Sequence, residues 1–314
     1  MDSPKTLQQA ILFFSNPDNC IAYMVAQRWP DGVVICPACG RNDVSWLSVQ
    51  KKWQCKSKHA KRQFSAKVGT IFEDSPISLD KWLMATWMLT NCKNGVSSYE
   101  IARNLGVTQK SAWFMLHRLR LAMKDDSGKL GGNGPVEIDE TFVGGKVKNM
   151  HRNKRPIGGA YGQNGKAIVL GMLERGGKVR AGVIENRKAD TMRPPIYSNV
   201  VAGSHIITDE HSTYPFISHP YFHEVINHVE GYVREQIHTN GIENFWSCLK
   251  RGLSGTYISV EPFHLERYVE EQVFRYNNRK NQSDSDRFAK VLSQVAGKRL
   301  TYAEVTGKVA ETAN

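Results

Sequence analysis

The sequence contains no run of about 18 apolar residues, which excludes the ordinary membrane-crossing helix. Its opening, MDSPKTLQQA, lacks the basic-then-apolar order of an export signal, so a cytoplasmic location is expected. Cysteine is scarce: six in 314 residues do not make a disulfide framework, and in a reducing compartment they point to metal ligands or buried thiols. Cys20, Cys92 and Cys248 have no partner at metal-ligand spacing and read as small core residues. No internal repeat or low-complexity tract is present, and 26 glycines and 12 prolines leave the chain able to bury one or two ordinary cores. Acid is also short. Thirty Asp and Glu stand against 42 Lys and Arg, a formal charge of +12, which is the electrostatic footprint of a partner rich in phosphates.

The pattern shifts near residue 34 and again across DDSGKLGGNGP at 125–135. Residues 1–33 hold two short apolar-periodic stretches, LQQAILFF and NCIAYMVAQRW, the second opening at Asn16-Pro17 as helices often do. Short extended runs with Cys and Lys follow over 34–72, and helical spacing of three and four returns in WLMATWMLTNC and SAWFMLHRLRLAM within 73–130. Beyond the glycine-rich linker, PVEIDETFVGG, AIVLGML and KVRAGVIE read as strands, with a hairpin turn at ERGG. A helical stretch interrupted by Pro194 and Pro195 precedes a further strand, SHIITDE, and more helices. The expected fold is therefore multidomain: an N-terminal helical segment and zinc ribbon, a helix-turn-helix, then an α/β domain over 131–285 with a mixed sheet flanked by helices, and a tail over 286–314.

Cys36-Pro-Ala-Cys39-Gly40 has the spacing of a knuckle whose two thiolates converge on one ion. Cys55 and His59 supply a second pair, completing a tetrahedral Zn²⁺ site that would stabilise a module too small for a core of its own. Residues 51–67 carry seven Lys or Arg and no acid, interleaved with Trp53 and Phe64. On a zinc ribbon such a run suits phosphate contact, with Lys51, Lys52, Lys58, Lys61 and Arg62 as candidates. Further along, Ser97 and Glu100 form a capping-box pattern, Gly106 supplies a turn, and Thr108 starts a second helix that would present Gln109, Lys110 and Trp113 to a DNA groove. A plain helical scaffold is the alternative.

Three acids carry the chemistry. Asp139 and Asp209 each follow apolar strand residues, where a carboxylate is disfavoured unless paired or metal-bound. Glu243 lies beside the apolar stripe Ile242, Phe245, Trp246 and Leu249, with Lys250 on the same face. Taken singly, the aspartates could close strands and Glu243 could pair with Asn240 at a helix start. Together they could hold two Mg²⁺ or Mn²⁺ ions about 3.5 to 4 Å apart for phosphodiester chemistry. Lys146, Lys148, Arg152, Lys154 and Arg155 open a basic stretch reaching residue 180 with the single acid Glu174, which suits double-stranded DNA or an exposed solvating loop.

Five strings, CPACG with its C-x3-H partner, FSAKVGTIF, VEIDETFVGG, TDEHSTY and HTNGIENFWSCLKRGL, resemble bacterial insertion-sequence DDE transposases with an N-terminal zinc ribbon and an RNase H-like catalytic domain. The resemblance runs from about residue 16 to about residue 280. It implies that Asp139, Asp209 and Glu243 form an acidic triad, with Asn240 the competing candidate beside the third acid, and that the reaction is cleavage and strand transfer of transposon ends. It also implies His238, Asn240, Lys250 and Arg251 as phosphate contacts, a homodimer or higher oligomer on DNA, and a nucleoid-associated life in a bacterial cytoplasm. A DNA-binding regulator without nuclease activity, or a nuclease on the same fold, are the alternatives. No Arg, His, Arg, Tyr series of a tyrosine recombinase stands out.

Overall fold

In the computed structural model, which describes residues 3–125, 127–145, 166–209, 217, 219–226 and 239–308, side-chain caps set several helix starts. Helix α1 (Leu7–Phe14) opens on Thr6, whose hydroxyl accepts from the Gln9 amide. Helix α2 (Pro17–Arg28) opens on Asn16, with Pro17 where its missing N–H is no loss. Strands β1 (Val44–Leu47), β2 (Lys52–Cys55) and β3 (Gln63–Phe64) form an antiparallel ribbon in that order, with Trp53 between Trp46 and Phe64. After α3 (Leu79–Asn91), helix α4 (Ser98–Leu105) begins with the full Ser97–Glu100 capping box and ends at Gly106, φ +59. Thr108 then caps α5 (Gln109–Met123). The helix-turn-helix local structure is the one the sequence specifies.

From Asp125 to Lys280 the chain forms a second unit. Its strands β4 (Val136–Val143), β5 (Ala167–Glu174) and β6 (Val179–Ile184) are antiparallel neighbours. Helix α6 (Ala189–Asn199) leads to β7 (His205–Asp209), which runs parallel to β4, and β8 (Phe222–Ile226) adds a parallel edge. The sheet is mixed, in order β6-β5-β4-β7-β8. Strand alternation divides its residues between two cores. Val136, Ile138, Leu170, Met172 and Ile206 pack with Met192 and Ile196 of α6. Val169 and Leu173 pack with Ile242, Phe245, Trp246 and Leu249 of α7 (Asn240–Gly252) and with Leu265 and Val269 of α8 (Leu265–Asn277).

Three features depart from the sequence expectation. Helix α6 runs through Pro194 and Pro195 instead of breaking there; each proline withdraws one amide from the ladder, but fully buried Met192 and Ile196 hold the helix on the sheet. The glycine-rich linker is pinned to the second unit, since the Gly131 and Asn133 amides both donate to Glu174 Oε1, at 3.0 and 2.8 Å. The segment expected as a tail carries α9 (Asp284–Ser293) and α10 (Tyr302–Val305) and belongs to the first unit. Phe288 of α9 joins the ring cluster of Phe14, Tyr23 and Trp87, and Thr70 bridges to Ala296. Among the described residues no helix is long and apolar enough to cross a membrane.

Candidate active site and metal centre

Two of the expected centres can be built from their residues upward. In the ribbon, Cys36, Cys39, Cys55 and His59 bring one ligand atom each within 4.8 Å of all the others. Tetrahedral zinc with Zn–S near 2.3 Å and Zn–N near 2.0 Å separates neighbouring ligand atoms by about 3.5 to 3.8 Å. The Cys36 Sγ to His59 Nε2 and Cys39 Sγ to Cys55 Sγ distances, 3.5 and 3.6 Å, match that requirement. The His59 Nδ1 donates to the Ala60 carbonyl at 2.6 Å, which turns Nε2 toward the thiols. Burial works against a Cys55 thiolate, yet hydrogen bonds from His59, the Ser57 amide and Cys39 bring its pKa down to about 6. The cluster fits a structural zinc.

The acidic centre lies where β7 ends beside the middle of β4: Asp209 closes its strand as expected, but Asp139 does not, because β4 stays paired with β5 as far as Val143. The parallel ladder of β4 and β7 is in register up to Ile138 opposite Thr208, so the next residue on each strand is an aspartate. Asp139 is largely buried; burial pushes its pKa up to about 7, with the Asp209 and Glu140 charges acting in the same direction and the Trp246 hydrogen bond opposing them. The two aspartates therefore lie close enough to repel, and a cation would relieve both burial and repulsion. Glu243 lies in the first turn of α7, exposed, with the Thr239 hydroxyl donating to its Oε1 at 3.1 Å. Its hydrogen-bond partner is thus the buried Thr239, and not the Asn240 weighed from sequence. Among the described residues the ribbon cluster is the group of three or more whose ligand atoms are closed to metal-binding distance; Asp139, Asp209 and Glu243 do not form such a group.

What ties Glu243 to the aspartates is its own helix. Trp246, one turn further along α7, donates from Nε1 to Asp139 Oδ2 at 2.8 Å, and the Glu140 amide donates to Asp139 Oδ1. The indole reaches the sheet because the residue opposite Asp139 on β5 is Gly171. A Cβ there would stand 2.5 Å from the Trp246 ring. We expect Gly171→Ala to push the indole off Asp139 and to destabilise the chain by about 1 to 3 kcal/mol, the usual range for overpacking. Thermal denaturation with difference absorbance of the Trp246→Phe chain checks this, and an unchanged melting temperature would refute it. Gly171 was hidden in the sequence as one glycine in the apolar run AIVLGML.

The raised Asp139 pKa gives a stability signature. The unfolded chain gives up this proton near pH 4, the folded chain near 7, so within that window the folded state holds the extra proton and stability falls as pH rises. In Mg²⁺-free buffer the melting temperature should decline between pH 4 and 7 by a component that Asp139→Asn removes. Equal slopes for the two chains would contradict the assignment.

The candidate DNA-contacting residues fall into four groups. Lys52, Lys58 and Lys61 are exposed on the ribbon, Lys51 pairs with Asp18, and Arg62 Nε donates to the Cys55 carbonyl at 3.2 Å. On α5, Gln109 donates to Ser98 Oγ at 2.9 Å, Lys110 lies over the Tyr302 ring and Trp113 packs edge-on to His117, so these three side chains make contacts within the protein. Asn240, Lys250 and Arg251 are exposed on α7. Lys146, Lys148, Arg152, Lys154, Arg155 and His238 lie outside the described residues.

Two family models match this chain. One, described as an ISXO2-like transposase domain, covers residues 130–277 and so includes all three acids. The other, a transposase zinc-ribbon domain, covers residues 15–59 and includes all four ribbon ligands. A Halobacterium salinarum protein described as an uncharacterized protein in transposable element ISH50 is 27% identical over 249 residues, which is 74% of this chain and 82% of its own length.

Proposed function

We propose that this chain, which matches the transposase zinc ribbon and the ISXO2-like transposase domain, cuts the ends of its insertion element and joins them to target DNA, using divalent cations held by Asp139, Asp209 and Glu243. One observation carries the assignment: an aspartate within β4 beside a second aspartate at the end of the parallel neighbour β7, the first of them hydrogen-bonded to the helix that bears a third acid. The order β6-β5-β4-β7-β8, with helices packed on both faces, supports an RNase H-like fold for this unit.

When bound, a pair of Mg²⁺ or Mn²⁺ ions supplies activation of the attacking hydroxyl and stabilisation of the leaving oxygen. The chain's own groups prepare the site for them. Asp139 and Asp209 give oxygen donors from rigid strands, and Trp246 fixes the orientation of the Asp139 carboxylate. Glu243 brings a third donor once it leaves the Thr239 hydroxyl. Lys250 and Arg251 on α7, with the ribbon lysines, hold the duplex through its phosphates. Because two element ends are processed together, the form on DNA is a homodimer or a larger assembly, working at the nucleoid.

The test is a strand-transfer assay: purified zinc-loaded chain, a labelled duplex ending in the element's terminal sequence, supercoiled target plasmid and Mg²⁺. Mg²⁺-dependent 3′ hydroxyl ends that then appear joined to plasmid are expected. Cutting without joining would make the protein a nuclease, and binding with neither would make it a regulator.

A further inference from the structure

Glu137 precedes Asp139 by two residues on β4, so both side chains leave the sheet on the face covered by α7. Its side chain is 1% exposed. A buried carboxylate persists only when paired and hydrogen-bonded, and this one is both: Oε1 accepts from Arg175 Nε at 2.7 Å and Oε2 from the Ile242 amide at 2.9 Å. The Ile242 amide lies in the first turn of α7, where no intrahelical carbonyl is available and a negative charge is favoured. Gly241 makes the approach possible, since a Cβ there would stand 2.8 Å from Glu137 Oε2. Neutral packing would stabilise such a position at least as well as an ion pair does. What the pair adds is a fixed register between helix and strand.

That register bears on the acids. Glu137 ties Ile242 to β4 and Asp139 ties Trp246 to β4, and Glu243 lies between the two tied residues. We infer that Glu137, with Arg175 as its counter-ion, is a positioning residue that holds the α7 turn carrying Glu243 in place relative to Asp139. The inference rests on the reading of these acids as cation ligands.

The experiment compares full-length zinc-loaded chains by Mn²⁺ titration, by amide hydrogen exchange across residues 240–246 and by thermal melting. Glu137→Leu with Arg175→Leu removes the tie without leaving a buried charge alone. We expect it to melt within a few degrees of the unaltered chain, to exchange the first-turn amides of α7 at least about tenfold faster, and to bind Mn²⁺ about 10- to 100-fold more weakly, the usual consequence of losing a ligand's support. Glu137→Gln with Arg175→Gln, which keeps an acceptor for Ile242, should recover most of the affinity. If the leucine pair does not fold, Gly241→Ala displaces the Glu137 carboxylate while leaving every charge in place, and the same losses are expected. Unchanged Mn²⁺ affinity, or weaker binding without faster α7 exchange, would overturn the positioning role. Asp139→Asn is the control: if it leaves Mn²⁺ binding intact, the cation site itself fails; if it weakens binding and the Glu137 variants do not, the positioning role alone fails.

Discussion

The Asp139→Asn chain is expected to lose cleavage and joining by on the order of 10³-fold or more, the scale on which removing a preorganised charge from a reacting site acts. Its binding to the same duplex should stay within about twofold, because phosphate contacts on the ribbon and on the end of α7 are untouched. Asparagine keeps one oxygen acceptor, which can serve the Trp246 indole, and loses the charge and the acceptor for the Glu140 amide. Stability should not suffer either: burial already disfavours the ionised carboxyl, and above pH 7 the variant should melt at or above the temperature of the unaltered chain. Asp209→Asn should behave alike. Gel-resolved products and fluorescence anisotropy on one preparation separate the two effects, and a chain that still cuts with both substitutions would end the assignment.

Removing the ribbon's metal should have an effect of comparable size on a different property. Apparent binding free energies of structural zinc are about 10 to 16 kcal/mol, more than a ribbon of three short strands gains from its small aromatic core. Cys36→Ser, or chelation, should therefore unfold residues 36–64 and scatter the seven basic side chains between 51 and 67. Duplex affinity should fall about 10²-fold or more at moderate salt, with a shallower salt dependence as phosphate contacts are lost. Zinc content by mass spectrometry should be one per chain before treatment. His59→Cys should retain the metal and His59→Ala should hold it loosely, since three thiolates remain. Full duplex affinity in a zinc-free chain would contradict the structural role.

Much of this was legible where local chemistry decides. The Cys36-Pro-Ala-Cys39 knuckle and its Cys55–His59 partner, the Ser97–Glu100 box and the Gly106 turn each depend on residues close in sequence, and the structure contains them as expected. Asp139 and Asp209 could be noticed because apolar strand residues precede them. Glu137 could not: in the alternation of VEIDET it reads as a solvent-facing residue, and its partners lie 38 and 105 positions away. Strand β8 was also invisible, because Phe222 and Val225 sit exposed at the sheet edge and give no inward alternation. Gln109 and Lys110 make contacts that the sequence did not announce. Their placement at a helix start suited groove contact, but Ser98 and the Tyr302 ring engage them within the protein, the latter from a C-terminal segment that sequence alone read as a tail.

The most direct measurement is anomalous diffraction at the manganese edge from crystals of the zinc-loaded chain soaked in Mn²⁺. Scattering density between the Asp139 and Asp209 carboxylates, with Glu243 turned from the Thr239 hydroxyl toward the ions, is the expected result. Density absent from that position while Glu243 stays on Thr239 would contradict a shared cation site and leave a zinc-stabilised DNA-binding chain without its proposed chemistry.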